Sequence, residues 1–146
     1  VNAGMTGREA NEHTDDQQKE IAKWVAQACG ALIELEDENQ INAVTALSGS
    51  GPAYFLLMMQ AMQEQGSSLG LSDQQIKTLV TQTAIGAGQL AQASEYSPEE
   101  LCQQIASKGG TTEAALNVLK RANVDGATRQ AVKAAYDRSI ELSGAK

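Results

Sequence analysis

The chain has 146 residues and a mass of 15.4 kDa, the size of one domain, and its 42% of hydrophobic residues fits a globular rather than a disordered protein. A net charge of −7, with acidic and basic residues interspersed, argues against nucleic acid or an anionic membrane as a main partner, because either would need a basic face. No apolar run approaches the ~18 residues of a membrane span.

The first 38 residues predict a strand, a helix and a second strand. An apolar stripe at helical spacing predicts the helix over residues 15–29: Ile21, Trp24, Val25, Ala28 and Cys29. Gly30 ends this helix, and the segment 31–37 suits an edge strand. Three elements are too few for a sheet of their own, so this part is predicted to be the end of another domain. Because the chain opens with Val, we expect the sequence to be a fragment.

Residues 39–146 predict an all-α bundle of about six helices. The first helix is short and ends at a turn over residues 48–52. The second begins near Pro52 and runs to about Gly66. Seven consecutive apolar residues, 53–59, predict that this helix is buried on nearly every side. The predicted fold class is therefore mainly α, with a short strand-helix-strand segment before the bundle.

Capping boxes mark the next two helix starts. Ser72 is followed three residues later by Gln75, and Ser97 by Glu100. The glycines inside the longer helix, Gly86 and Gly88, predict close packing against another helix. Two further helices are predicted over residues 112–122 and 128–142.

The bundle is rich in alanine and carries one helix that is apolar all round, so it needs more cover than about a hundred residues supply. A well-packed monomer is one interpretation. An obligate dimer with intertwined helices is the favoured one, since obligate interfaces are large and apolar. The two cysteines, Cys29 and Cys102, are predicted to be reduced core thiols of a cytoplasmic protein.

The sequence lacks the residues that several common kinds of catalytic or binding site require. His13 is the only histidine and lies in a polar segment, so neither a transition-metal site nor a Ser-His-Asp triad is predicted. Residues 49–51 read Gly-Ser-Gly, but Tyr54 and a preceding helix rule out a dinucleotide fingerprint. Residues 107–112 lack the Gly-Lys-Ser/Thr of a phosphate-binding loop.

The segment 107–112, Ser-Lys-Gly-Gly-Thr-Thr, directly precedes a helix. The first amides of a helix have no partner within it and carry partial positive charge, and glycine lets a ligand approach the backbone. With the hydroxyls of Ser107, Thr111 and Thr112, such a turn suits a small carboxylate that has a neighbouring N–H or O–H. The simpler alternative is that one threonine caps the helix and the glycines end the preceding one.

Two motifs carry a family resemblance. ALSGSGPAYFLLMMQAM (46–62) and IASKGGTTEAALNVL (105–119) resemble pyrroline-5-carboxylate reductase, the family that makes proline. VNAGMTG (1–7) and GALIELEDE (30–38) resemble the closing part of its nucleotide-binding Rossmann domain. Lys108, where many members carry proline, is a minor departure. The resemblance implies a division into residues 1–38, the end of the Rossmann domain, and residues 39–146, the helical dimerisation and substrate-binding domain.

The resemblance also implies what the turn does. Backbone N–H groups of the segment comprising Ser107, Gly109, Gly110, Thr111 and Thr112 would receive the carboxylate of 1-pyrroline-5-carboxylate and of L-proline. The hydroxyl of Thr112 would bond the ring nitrogen, and Glu95 would favour the protonated imine, which accepts hydride more readily. NADPH or NADH would supply the hydride and bind mainly to an upstream domain, so this segment alone is expected to be inactive. The family implies a homodimer with the site at its interface, and leaves open a higher assembly of dimers.

Two alternatives remain at this stage. The segment could be a non-catalytic helical dimerisation module. It could also be the helical domain of another Rossmann-type dehydrogenase, although the β-hydroxyacid dehydrogenases place a catalytic lysine where this chain has Phe55.

Overall fold

The fold is predominantly helical, as the sequence predicts. The computed structural model describes residues 3–11 and 13–144, so residues 1, 2 and 12 of the predicted first strand and loop lie outside the description. The elements in chain order are β1 (Gly4–Arg8), α1 (Asp16–Cys29), β2 (Gly30–Glu34), α2 (Gln40–Val44), a π-helical segment (Thr45–Gly49), α3 (Gly51–Ser68), α4 (Asp73–Ala93), α5 (Pro98–Ile105), α6 (Thr111–Arg121) and α7 (Val124–Gly144). They form two compact units, residues 1–51 with 131–146, and residues 52–130.

The first unit contains the predicted strand-helix-strand. Strands β1 and β2 pair in parallel, with Gly4 opposite Gly30 and Arg8 opposite Glu34. Helix α1 connects them, as a parallel pair requires. The Arg8 guanidinium joins all three elements, because it donates to the Glu34 carboxylate at 2.6 Å and to the carbonyl of Lys19. The hydrogen bond from Arg8 holds the pKa of Glu34 below its usual value.

The apolar stripe of α1 forms as predicted but stays uncovered. Ile21, Trp24 and Val25 are 56%, 74% and 53% exposed. The C-terminal part of α7 also belongs to this unit, where the Ser139 hydroxyl donates to the Asn42 side-chain oxygen at 2.7 Å. In this unit, hydrogen bonds therefore link distant parts of the chain, and no described residue covers the apolar face of α1.

The predicted turn after α2 is wrong in its first part. The amide of Ser50 donates to the carbonyl of Thr45 at 2.8 Å, five residues back, so the helix widens into a π turn through Gly49 instead of ending. A π turn accommodates one extra residue without breaking the helical path. Helix α3 then begins at Gly51, which places Pro52 in its first turn, where the missing N–H costs nothing.

The second unit contains the helices with the predicted capping boxes. The Ser72 and Ser97 hydroxyls accept from the amides of Gln75 and Glu100, whose side chains return to the cap residues, so both predictions are confirmed. Hydrogen bonds from Ser97 keep the pKa of Glu100 below its usual value. Helix α7 begins at Val124, earlier than predicted, because Asn123 takes the left-handed conformation (φ 53°) and reverses the chain within one residue.

The interior of the single chain is smaller than the sequence suggests. Among the described residues, the buried hydrophobic ones are Ala46, Ile76, Val80 and Leu101. The close approach between α3 and α4 occurs at Gly66, where an added Cβ would lie 3.1 Å from Ile76. At Gly86 and Gly88 an added Cβ would meet nothing within 4 Å, so the predicted packing at these two glycines is wrong within one chain.

Helix α3 is the largest departure from the prediction of burial. Phe55, Leu56 and Leu57 are 60–72% exposed, so a helix that is apolar all round stands largely uncovered in the single chain. The cysteines are free thiols, as predicted, but both are exposed, so their predicted place in the core is wrong. Over the described residues, no helix combines the length and apolar character that spanning a membrane requires.

Candidate anion-binding site

The turn between α5 and α6 requires both of its glycines, for different reasons. Gly109 has φ +73°, a left-handed conformation that strains any residue with a Cβ. Gly110 donates its amide to the Ser107 carbonyl at 2.9 Å, and an added Cβ there would lie 2.5 Å from the Ser107 Oγ. The sequence Ser-Lys-Gly-Gly is thus fixed by backbone geometry and by close approach.

Helix α6 starts without a side-chain cap. Its N-cap residue is Gly110, whereas Asp15, Ser72 and Ser97 all cap their helices with side-chain oxygens. Within the part of the chain that the structure describes, no group accepts a hydrogen bond from the amides of Thr111, Thr112 and Glu113. The alternative in which a threonine caps this helix is therefore wrong, and three amides face a potential ligand.

The hydroxyl of Thr112 is also available. Thr112 is half-buried, while Thr111 and Ser107 are exposed. The helical threonines Thr78 and Thr128 donate their hydroxyls to the carbonyl four residues earlier, at 2.8 Å. No described residue bonds the Thr112 hydroxyl in this way, because the helix begins too late to offer such a carbonyl.

Glu113 is a functional candidate that sequence reasoning missed. Its carboxylate accepts a hydrogen bond from the amide of Gly109 at 2.7 Å. The signal was the spacing Gly110-x-x-Glu113, the same spacing as in the two predicted capping boxes but with glycine at the cap. The Glu113 side chain folds back toward the turn, as in a capping box, but it bonds the amide of Gly109 and not that of the cap residue Gly110. Gly110 has no side chain that could accept from an amide of the first turn.

Glu95 belongs to the same compact unit as the turn. It is exposed and stands in the connection between α4 and α5, next to Tyr96, whose amide donates to the Ser94 hydroxyl. No described hydrogen bond or ion pair links Glu95 to the turn. The structure thus brings Ser107, Gly109, Gly110, Thr111 and Thr112 together in one turn.

The described residues were also compared with the requirements of a metal site and of a dinucleotide site. An open groove of about 1080 Å³ runs along α5, α6 and the start of α7, and it reaches the turn at Ala106 and Glu113. Among residues 3–11 and 13–144, no group of three or more His, Cys, Asp or Glu could hold a metal ion. Residues 9–15, which join β1 to α1, contain no glycine, and the Gly49-Ser50-Gly51 segment is helical. The described residues therefore form no dinucleotide cradle.

These features define a class of protein: a mainly helical domain that follows a parallel β-α-β unit and has a glycine-rich helix N-terminus suited to a small anion. Residues 38–142 match the family described as pyrroline-5-carboxylate reductase dimerisation. The chain belongs to this family.

Similar proteins agree in sequence and in structure. The chain is 46% identical over 140 residues to the pyrroline-5-carboxylate reductase of Pseudomonas aeruginosa, covering 96% of this chain and 51% of the relative, and 39% identical to that of Synechocystis, covering 97% and 53%. It matches a reductase structure from Coxiella burnetii with a TM-score of 0.89 at 42% identity, over 97% of this chain and 52% of that one. It also matches the Plasmodium falciparum structure with NADP bound, with a TM-score of 0.88 at 29% identity, over 94% and 52%. The chain thus spans about half the length of these relatives.

Proposed function

We propose that this chain is the C-terminal part of a pyrroline-5-carboxylate reductase, which reduces 1-pyrroline-5-carboxylate to L-proline. The observation that carries the proposal is the uncapped N-terminus of α6 behind Ser107–Gly110, in a chain that belongs to this reductase family. The enzyme is an oxidoreductase of proline biosynthesis, and the segment alone is inactive because it supplies no nucleotide-binding cradle.

The substrate carboxylate binds to the amides at the start of α6. Helix N-termini attract anions because their amides are unpaired and the helix dipole is positive there. Ser107 and Thr111 add exposed hydroxyls beside these amides, and Gly109 and Gly110 keep the backbone accessible. One carboxylate matches three amides in a row better than a bulky polyanion does.

Thr112 and Glu95 act on the imine. The Thr112 hydroxyl accepts a hydrogen bond from the protonated ring nitrogen, which holds the C=N bond in place. Hydride then adds to the imine carbon, and the nitrogen keeps its proton as the secondary amine of proline. A carboxylate at Glu95 stabilises the cationic imine, which is the better hydride acceptor. Its exposed position between two helices leaves it able to approach a ligand.

NADPH or NADH supplies the hydride and binds outside the residues described. The relatives are about twice as long as this chain, and a Plasmodium falciparum reductase structure holds NADP. We place the domain boundary after residue 38, so that residues 1–38 close the nucleotide-binding domain and residues 39–146 form the helical one. The family match, which begins at residue 38, supports this division.

The functional unit is a homodimer, and dimers can assemble further. Large apolar side chains of α3, among them Phe55, Leu56 and Leu57, are 60–72% exposed in the single chain, and obligate interfaces are rich in such side chains. The apolar residues 55–58 of α3 are the main candidates for the interface. Free thiols at Cys29 and Cys102 agree with a cytoplasmic location.

The test is turnover by the full-length protein. We expect oxidation of NADPH or NADH that depends on 1-pyrroline-5-carboxylate and yields one proline per cofactor oxidised, measured at 340 nm and by amino-acid analysis. Dimerisation without any turnover of this imine would instead support a non-catalytic dimerisation module. Turnover of a 3-hydroxy acid in its place would support the helical domain of another dehydrogenase.

Gly109→Ala separates the conformation of the turn from general stability. Alanine at φ +73° is expected to cost about 1–2 kcal/mol, although space for the methyl group is open. Gly70→Ala is the matched control, because Gly70 has φ +84°, equally open space and a position in the α3–α4 connection. Thermal unfolding should show similar losses for both variants, and only Gly109→Ala should raise the KM for the imine. An equal KM in both variants would contradict a role of the turn in substrate binding.

A further inference from the structure

The half capping box at α6 leaves a negative charge beside the amides that no described residue pairs. In α4 and α5 the returning Gln75 or Glu100 side chain bonds the amide of the cap residue, whose own hydroxyl occupies a first-turn amide. In α6 the returning Glu113 carboxylate bonds the amide of Gly109, and no cap side chain occupies the first turn. An anion that takes the place of this missing cap therefore binds next to a carboxylate.

From this arrangement we propose that Glu113 is a positioning and specificity-determining residue, which holds the turn through Gly109 and favours anions of single charge over dianions. The inference rests on the proposed function of the turn. Glu113 uses the Gly109 amide internally, so the incoming anion meets the amides of Thr111, Thr112 and Glu113 itself. These three amides belong to the helix and are fixed in direction.

The charge of Glu113 discriminates between ligands because Coulomb repulsion is proportional to the charge of the ligand. A carboxylate carries one negative charge, whereas sulfate carries two. The repulsion that raises the dissociation constant of a carboxylate about threefold at roughly 6 Å in a water-like dielectric raises that of sulfate about tenfold. The Glu113 charge therefore lowers the affinity for a dianion about threefold more than the affinity for a monocarboxylate.

Two substitutions of Glu113 distinguish the electrostatic role from a purely structural one. Glutamine at residue 113 keeps a carbonyl oxygen for the Gly109 amide and removes the charge. Alanine removes both the charge and the acceptor. The two variants therefore separate electrostatic selectivity from the support of a turn whose Gly109 lies at φ +73°.

The experiment uses the full-length reductase at saturating NADPH and constant low ionic strength. Inhibition constants competitive with the imine are measured for sulfate and for cyclopentanecarboxylate, in wild type, Glu113→Gln and Glu113→Ala. Asp73→Asn, in the first turn of α4, controls for the change in net charge.

For Glu113→Gln we expect the inhibition constant of sulfate to fall about tenfold and that of cyclopentanecarboxylate about threefold. Glu113→Ala should show the same selectivity shift with a raised KM for the imine. Normal turnover with the same ratio of inhibition constants in Glu113→Gln as in wild type would overturn this inference alone. Absence of imine-dependent turnover in wild type would overturn the proposed function and this inference with it.

Discussion

Replacement of Thr112 by valine in the full-length reductase is expected to lower kcat/KM for 1-pyrroline-5-carboxylate by about tenfold or more. Valine keeps the shape of threonine and removes the hydroxyl, so the loss corresponds to about 1.4 kcal/mol, one good hydrogen bond to the ring nitrogen. No described residue bonds this hydroxyl, so its removal breaks no described hydrogen bond of the fold. Steady-state kinetics with the imine and NADPH measures the loss.

Thr128→Val is the matched control for Thr112→Val. Thr128 is also a helical threonine of the second unit, but its hydroxyl donates to the Val124 carbonyl. This control is expected to change kcat/KM little. Thr112→Ser, which restores the hydroxyl, should recover most of the activity. If Thr112→Val and Thr128→Val have the same kcat/KM, Thr112 has no role in substrate binding, and the turn serves another ligand or none.

Introduction of a charge on α3 is expected to dissociate the dimer. Phe55 is 72% exposed in the single chain and lies in the apolar run that we assign to the interface. A buried, unpaired carboxylate costs about 4 kcal/mol, so Phe55→Glu should weaken the dimer about a thousandfold. The family resemblance implies a substrate site at the dimer interface, and with the site there turnover should fall together with the dimer. Sedimentation equilibrium over a range of protein concentrations, with activity assays at the same concentrations, measures both effects.

Gln65→Glu is the control for the added charge. Gln65 lies on the same helix, is polar and exposed, and bonds the Ser68 hydroxyl. This variant should remain dimeric and active. A dimeric, active Phe55→Glu protein would show that the interface lies on a different helix face, whereas a monomeric and fully active one would contradict a site at the interface.

Local signals in the sequence predicted most element boundaries. The capping boxes at Ser72 and Ser97 and the apolar stripe of α1 gave helix starts that the structure reproduces within a residue or two. These signals succeed because a cap depends on four consecutive residues and their own backbone. The π turn at Thr45–Gly49 was missed because Ser-Gly-Ser-Gly-Pro is a typical turn sequence and its choice of acceptor depends on the surrounding fold.

The candidate site was found from its residue types but not from its contacts. Two glycines followed by two threonines predicted an exposed backbone at a helix start. The structure shows that Gly109 is needed for its left-handed φ and Gly110 for the close approach of Ser107. The absence of a cap, and the return of Glu113 to Gly109, could not be predicted, because threonine is itself a good cap and glycine gives no sign of a partner. The roles of Thr112 and Glu95 stay predictions.

The sequence by itself determined the helical character of the chain, the strand-helix-strand order at its start and its family, because these depend on periodicity and on short motifs. Only the tertiary structure decided which apolar surfaces stay open. An apolar run such as residues 53–59 has the same pattern whether its own chain or another covers it, and α3 is uncovered in the single chain. The same holds for Gly86 and Gly88, where an added Cβ would meet nothing within 4 Å. Burial depends on which surfaces pack together. A hydrophobic pattern predicts that a face is buried, but it does not show whether the same chain or another chain buries it.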